Sequence, residues 1–196
     1  MLKIKHVANH ATEYYNLFLD FHENGGTLKK FVERIEKLSE EIRFYNEDER
    51  NKFKGDSLEI LAEIFFMNFA SDEAVGLRDY APVPLDEDYG VDATGINANG
   101  HRSVVQVKYR ANPLEMITYE DIAKTAINGI YNFQLDKDQI HNIFIFTTSN
   151  HLSVQCKTFF GERLVFINRE IIRNKIDNNA NFWDFAFKEI FQYLDQ

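Results

Sequence analysis

Asp88-Tyr89-Gly90-Val91-Asp92 and Ser103-Val104-Val105-Gln106-Val107-Lys108-Tyr109-Arg110 are the two stretches whose relation decides the fold. The second is rich in β-formers. Gln106 and Lys108 stand at i and i+2 in it, so both side chains leave one face of a strand while Val105 and Val107 leave the other. A polar pair on a strand otherwise written for burial needs a partner. Asn99-Gly100 invites a two-residue type I′ hairpin, which would set Asp92 opposite Val107. A three-residue loop, Ala98-Asn99-Gly100, with Gly100 left-handed in a G1 bulge, instead sets Asp92 opposite Gln106. Only this second register gathers Asp92, Gln106 and Lys108 around one point, because a one-residue slip turns every side chain to the other face. The second register is the expectation.

Outward from the hairpin, strands alternate with helices. Residues 74–83 read as a strand closed by Pro82 and Pro84, and Asp86-Glu87-Asp88 as an acidic loop leading to Asp92. Asn112-Pro113 breaks the sheet, and Thr118-Tyr119-Glu120-Asp121 has the form of a helix N-terminus, a hydroxyl cap with acids in the first turn. Ile122, Ala126, Ile127 and Ile130 give that helix its buried face. Residues 140–148 read as a central strand and 164–167 as a short buried one. The pattern predicts an α/β fold, a mixed central β-sheet flanked by helices.

Residues 1–50 read as an N-terminal helical segment. Apolar residues at helical spacing over 13–21 end at Asn24-Gly25-Gly26, and Thr27 caps a second helix whose stripe is Phe31, Ile35, Leu38 and Ile42. His6 and His10 stand at i and i+4, a metal-pair spacing with no further ligand nearby in sequence, so a packing role is the expectation. The charged run 47–54 and Gly55 mark a boundary, placing residues 51–196 in the main domain. Asp56 or Ser57 caps a helix reaching Phe69, in which Glu59 and Glu63 stand one turn apart among apolar residues. The end of the chain, residues 181–194, is a helix apolar over most of its surface, either clamped onto the core or covering a partner.

The chain has 196 residues, 44% hydrophobic and 27% charged, the composition of an ordinary globular protein. No apolar run is long enough to span a bilayer, and the N-terminus lacks the apolar core of a signal peptide. The single Cys156 excludes an internal disulfide and fits a reducing, cytoplasmic compartment. The net charge of −9 argues against a general nucleic-acid coating protein, since phosphate binding rests on Lys and Arg. It is compatible with a nuclease whose acidic cleft is offset by a bound cation, and it predicts weak, salt-sensitive DNA affinity.

Asp92, the Gln106 side-chain carbonyl and the Val107 main-chain carbonyl are hard oxygen donors of the kind that Mg²⁺ takes while keeping waters or phosphate oxygens. Lys108 beside them could orient or help deprotonate a water for in-line attack on phosphorus. Glu59 could hold a second metal or a water and supply the charge that neutral Gln106 lacks. The alternative is a hairpin whose polar face is merely wet.

The sequence resembles the restriction-endonuclease-like PD-(D/E)xK nuclease superfamily, in the Mrr-like variant where Gln replaces the second acid. Gly55-Asp56-Ser57-Leu58-Glu59 resembles the opening of the family's first helix, and Asp88 to Asp92 its D-x-G-[IV]-D element. Gln106-Val107-Lys108 is its Q-x-K element, and Phe146-Thr147-Thr148-Ser149 resembles its strand ending in a Thr/Ser-rich turn. The resemblance covers roughly residues 53–170. It implies a restriction-endonuclease-like core and a Mg²⁺-dependent endodeoxyribonuclease, with Mn²⁺ substituting. Asp92, Gln106 and the Val107 carbonyl would be the metal ligands, Lys108 the catalytic lysine and Glu59 the helical acid, with Glu63 competing for that place. Arg102, Arg110, Thr148 and Ser149 are candidate phosphate contacts, each equally readable as an ordinary surface or turn residue.

A small acidic nuclease without an obvious recognition domain implies partners besides DNA: a second copy cutting the other strand, or a replication, repair or restriction assembly. The many Asn, Lys, Ile and Phe suit a phage, virus or mobile element. The alternative reading keeps the fold without the chemistry, as a nucleic-acid-binding or protein-interaction module.

Overall fold

The computed structural model of the chain describes residues 2–195 apart from Ile4, Leu85, Asp86 and Asp88, and for Lys5 and His6 the backbone alone. The His6 side chain, one half of the His6–His10 spacing, and most of the Asp86–Asp88 acidic loop therefore lie outside the described residues. Two compact units divide the chain, residues 1–64 with 169–196 and residues 65–168. Among the described residues no helix is long and apolar enough to cross a membrane.

The first unit is helical: α1 (Ala11–Asn24), α2 (Leu28–Glu41), most of α3 (Glu47–Asn68), α6 (Arg169–Ile176) and α7 (Ala180–Leu194). Thr27 caps α2 as expected, its hydroxyl accepting from Lys30 N at 3.2 Å. Aromatic side chains at helical spacing make the core. Trp183 of α7 is fully buried, with the Phe21 ring edge-on at 4.8 Å and Phe18 and Phe31 beside it. Its indole Nε1 donates to Ile176 O at 2.8 Å, and Asp177 Oδ1 accepts from Leu28 N at 2.7 Å. The C-terminal helix thus joins the N-terminal helices, not the sheet domain to which the sequence assigned it, because its aromatic face matches that of α1.

The expected boundary at residues 50–55 is also corrected. α3 begins at Glu47 and runs unbroken through Gly55. Asn46 Oδ1 accepts from Glu49 N at 2.9 Å, and Glu47, Asp48 and Glu49 occupy the first turn, where the helix dipole favours acids. A glycine inside a helix costs only about 1 kcal/mol, which neighbouring turns offset. Asp56 and Ser57 are therefore mid-helix: Ser57 Oγ donates to Phe53 O at 2.6 Å and Asp56 pairs with Lys52 at 3.0 Å.

The second unit carries a five-stranded mixed sheet in the order β1 (Arg78–Pro82), β2 (Ala93–Ile96), β3 (Arg102–Lys108), β4 (Ile143–Thr147), β5 (Leu164–Ile167). β2 runs antiparallel to both β1 and β3, and β3, β4 and β5 run parallel. α4 (Tyr119–Phe133) and α5 (Val154–Phe160) make the crossovers. One face of the sheet, with Val104, Ile143 and Ile145, packs on Ile122 and Ala126 of α4 and on Cys156 and Phe160 of α5. On the other face Phe144 and Phe146 meet Phe65 and Phe66 from the end of α3. This is the expected α/β architecture, with every β4 residue buried as a central strand requires.

Two details differ from expectation. β1 begins only at Arg78, and Ile127 of α4 is exposed while Thr125 and Gly129 complete the buried stripe.

Candidate functional site

The β2–β3 hairpin has the three-residue turn. Asn97 N donates to His101 O and Gly100 N to Asn97 O, both at 2.9 Å, with Gly100 at φ +80°. Ala93 faces Val105 and Ile96 faces Arg102, so the same register carries Asp92 opposite Gln106. Asp92 stands immediately ahead of β2 rather than on it, its N–H donating to Val105 O at 2.9 Å.

The side chains converge as the register requires. Asp92 Oδ2 accepts from Gln106 Nε2 and from Val107 N, each at 2.5 Å. Gln106 is only 6% exposed, and its Nε2 also lies 3.5 Å from Val107 O. Lys108 is half-buried on the same face of β3, and its carbonyl accepts from Thr147 Oγ1 at 2.6 Å. Asp92, Gln106 and Val107 thus meet at one point beside Lys108.

α4 holds this point from behind. Thr125 Oγ1 lies 2.5 Å from both Gln106 Oε1 and Gly90 O, and Asn128 Nδ2 donates to Tyr89 O at 2.6 Å. Gly90 has φ +82°, and a Cβ there would come within 2.7 Å of Lys124 Cδ, so the loop ahead of Asp92 requires glycine. Thr125 was not foreseen. It belongs to the buried stripe of α4 by spacing, and its only signal was a hydroxyl in an apolar row.

The remaining candidates fall in several places. Glu59 is half-buried on the part of α3 that belongs to the helical unit. Glu63, one turn on, is fully buried and accepts from Lys3 N at 2.6 Å. Thr148 and Ser149 are fully buried, and their hydroxyls serve the backbone. Thr148 Oγ1 bridges Arg110 N and Arg110 O at 2.7 and 2.8 Å, and Ser149 Oγ donates to Glu115 O at 2.5 Å. They brace the β4 end, and neither hydroxyl faces outward. Arg102 is exposed at the opposite end of β3 from Lys108, about 20 Å away at the usual strand rise.

Arg110 is engaged internally. One guanidinium nitrogen donates to both Asp121 oxygens at 2.9 and 3.0 Å, and Nε pairs with Glu115 at 2.8 Å. Asp121 also closes the expected capping box with Thr118. Burial pushes the Asp121 carboxyl up, but the Thr118 hydrogen bond and the Arg110 charge outweigh it, with Lys108 adding to them, and hold it below the usual aspartate range. A carboxyl whose folded value is depressed contributes stability above its unfolded value and loses it as pH falls through the folded one. Asp121→Asn is therefore expected to lower stability by about 1–2 kcal/mol at neutral pH. The wild-type and variant urea midpoints should converge as pH drops below about 4; a gap that stays constant would contradict the ion pair.

Among the described residues no three His, Cys, Asp or Glu side chains cluster to hold a metal ion. A cleft of about 710 Å³, lined by Asn97, His141, Phe144 and Phe166 among others, opens at the turn end of the sheet, remote from Asp92.

No protein-family model matches the chain, and no curated protein does. Among solved structures it is similar to the MspJI restriction endonuclease in complex with a 27-mer oligonucleotide, at 13% identity and a TM-score of 0.40. The match takes in 68% of this chain and 31% of that one, so the chain spans about a third of the length of the protein it matches.

Proposed function

We propose that the chain is a Mg²⁺-dependent endonuclease that hydrolyses phosphodiester bonds in DNA, with Mn²⁺ able to substitute. The observation that carries the reading is the convergence of the Asp92 carboxylate, the Gln106 side chain and the Val107 main chain at one point, with Lys108 next on the same strand face. Asp92, Val107 O and, with its amide turned over, the Gln106 carbonyl would supply the hard oxygens that suit a small divalent cation. Such an ion would supply Lewis-acid charge to the phosphate.

The protein's own groups would do the rest. Lys108 holds the attacking water in line with phosphorus and takes part in its proton transfer. By the resemblance, Glu59 is the helical acid of the set. Glu63 competes for that place, though the spacing from Gly55 favours Glu59; its carboxylate accepts from the Lys3 main chain. This assignment follows the resemblance to the PD-(D/E)xK superfamily in its Q-x-K variant. With a net charge of −9, DNA affinity depends strongly on salt and on a second copy or a partner protein.

A second reading, an inactive nuclease fold serving as a binding module, draws support from the inward-turned Arg110, Thr148 and Ser149. Cleavage of supercoiled plasmid separates the two. Wild type should nick DNA with Mg²⁺ or Mn²⁺ and not with EDTA, and Lys108→Ala should remove the activity. Nicking unaffected by EDTA or by Lys108→Ala would sink the nuclease assignment to these residues.

A further inference from the structure

Thr125 presents an imbalance of protons. Its hydroxyl lies 2.5 Å from Gly90 O and 2.5 Å from Gln106 Oε1, two acceptors for the one hydrogen it can donate. Which end of a glutamine amide is oxygen is settled by its hydrogen bonds, and here the alternative orientation has a different balance. With the amide turned over, Gln106 Nε2 donates to Thr125 Oγ1, which donates to Gly90 O. Every group along that path is then satisfied. The same turn brings Gln106 Oε1 to the place where Nε2 now stands, beside Asp92 Oδ2 and towards Val107 O. Three oxygens would then converge, an arrangement that only a cation or a proton makes favourable.

We infer that Thr125 is a positioning residue whose hydroxyl selects the orientation of the Gln106 amide, and so sets the affinity of the Asp92–Gln106 site for a divalent cation. The inference rests on the metal-dependent reading above. Without the cation the amide donates to Asp92 and the single Thr125 hydrogen is shared between two acceptors; with it the amide turns, Thr125 accepts from Gln106, and its hydrogen goes to Gly90 O alone. The hydroxyl can serve both states because it both donates and accepts, whereas a methyl in its place serves neither. Thr125 and Gly90 also tie α4 to the loop ahead of Asp92, so the same side chain fixes where the carboxylate stands.

The test is calorimetric titration of the full chain with Mn²⁺, comparing wild type, Thr125→Ser, Thr125→Val and Asp92→Ala, with folding checked by circular dichroism. Thr125→Ser should bind within about threefold of wild type, and Thr125→Val roughly tenfold more weakly, the value of one hydrogen bond. A second measurement does not depend on the valine variant folding. In wild type the Gln106 side-chain NH₂ resonances, assigned by their loss in Gln106→Glu, should shift on Mg²⁺ addition as their acceptor changes from carboxylate to hydroxyl. Folded Thr125→Val that binds Mn²⁺ like wild type, while Asp92→Ala does not bind, overturns the role of Thr125 and leaves the metal site standing. Unmoved Gln106 resonances in Mg²⁺-bound protein also overturn it. Wild type that binds neither cation overturns the metal reading itself, and the inference with it.

Discussion

Asp92→Ala is expected to reduce Mg²⁺-supported DNA cleavage by on the order of a thousandfold or more, since residues that act as a unit fail together. The size of the effect follows from where the carboxylate stands. Asp92 Oδ2 is the atom on which Gln106 and the Val107 main chain converge. Removing it takes away a formal negative charge that neutral Gln106 cannot replace. The substitution also leaves the Val107 N–H without that acceptor, a local cost of about 1–3 kcal/mol that should not unfold a sheet whose other ladders are intact. Single-turnover cleavage and Mn²⁺ calorimetry on the same preparation measure both consequences. A folded Asp92→Ala protein that cleaves at a tenth of the wild-type rate would move the chemistry elsewhere.

Trp183→Ala should be the most destabilising single change in the helical unit, at about 3–5 kcal/mol. The indole is fully buried among Phe18, Phe21, Phe31 and Phe182, and its Nε1 donates to Ile176 O at 2.8 Å. Truncation opens a cavity lined by aromatic rings and removes one of two donors to the carbonyl that ends α6, leaving it Asn179 N at 3.2 Å. Trp183→Phe keeps most of the volume and loses only the hydrogen bond, so its cost should be nearer 1–2 kcal/mol. Urea unfolding of the three proteins gives the comparison. If Trp183→Ala cost less than about 1 kcal/mol, α7 could not be part of this core.

The hairpin register was legible in the sequence because loop length and a left-handed glycine fix it locally. Gly100 at φ +80° and the Asn97–His101 pair close the turn that puts Asp92 opposite Gln106. The α4 cap was legible for the same reason, since Thr118 and Asp121 lie three residues apart. What escaped was decided by partners distant in sequence. The burial of Glu63 depends on Lys3, sixty residues away. α7 was read as belonging with the sheet because its own pattern does not say which apolar face it meets. The charged run after residue 46 resembles a linker, yet its acids and Asn46 form a helix start. Thr125 escaped because a threonine in a buried helical stripe is ordinarily a packing residue, and its importance lies in meeting Gln106 and Gly90 across the fold.

The most direct test of the metal centre is a crystal of the protein grown with Mn²⁺, with anomalous scattering recorded at the manganese edge. This metal centre requires a peak within bonding distance of the Asp92 carboxylate, the Gln106 side-chain carbonyl and Val107 O, with the Gln106 amide nitrogen turned to Thr125. A Mn²⁺ peak elsewhere, or none at a concentration that supports cleavage, would contradict it.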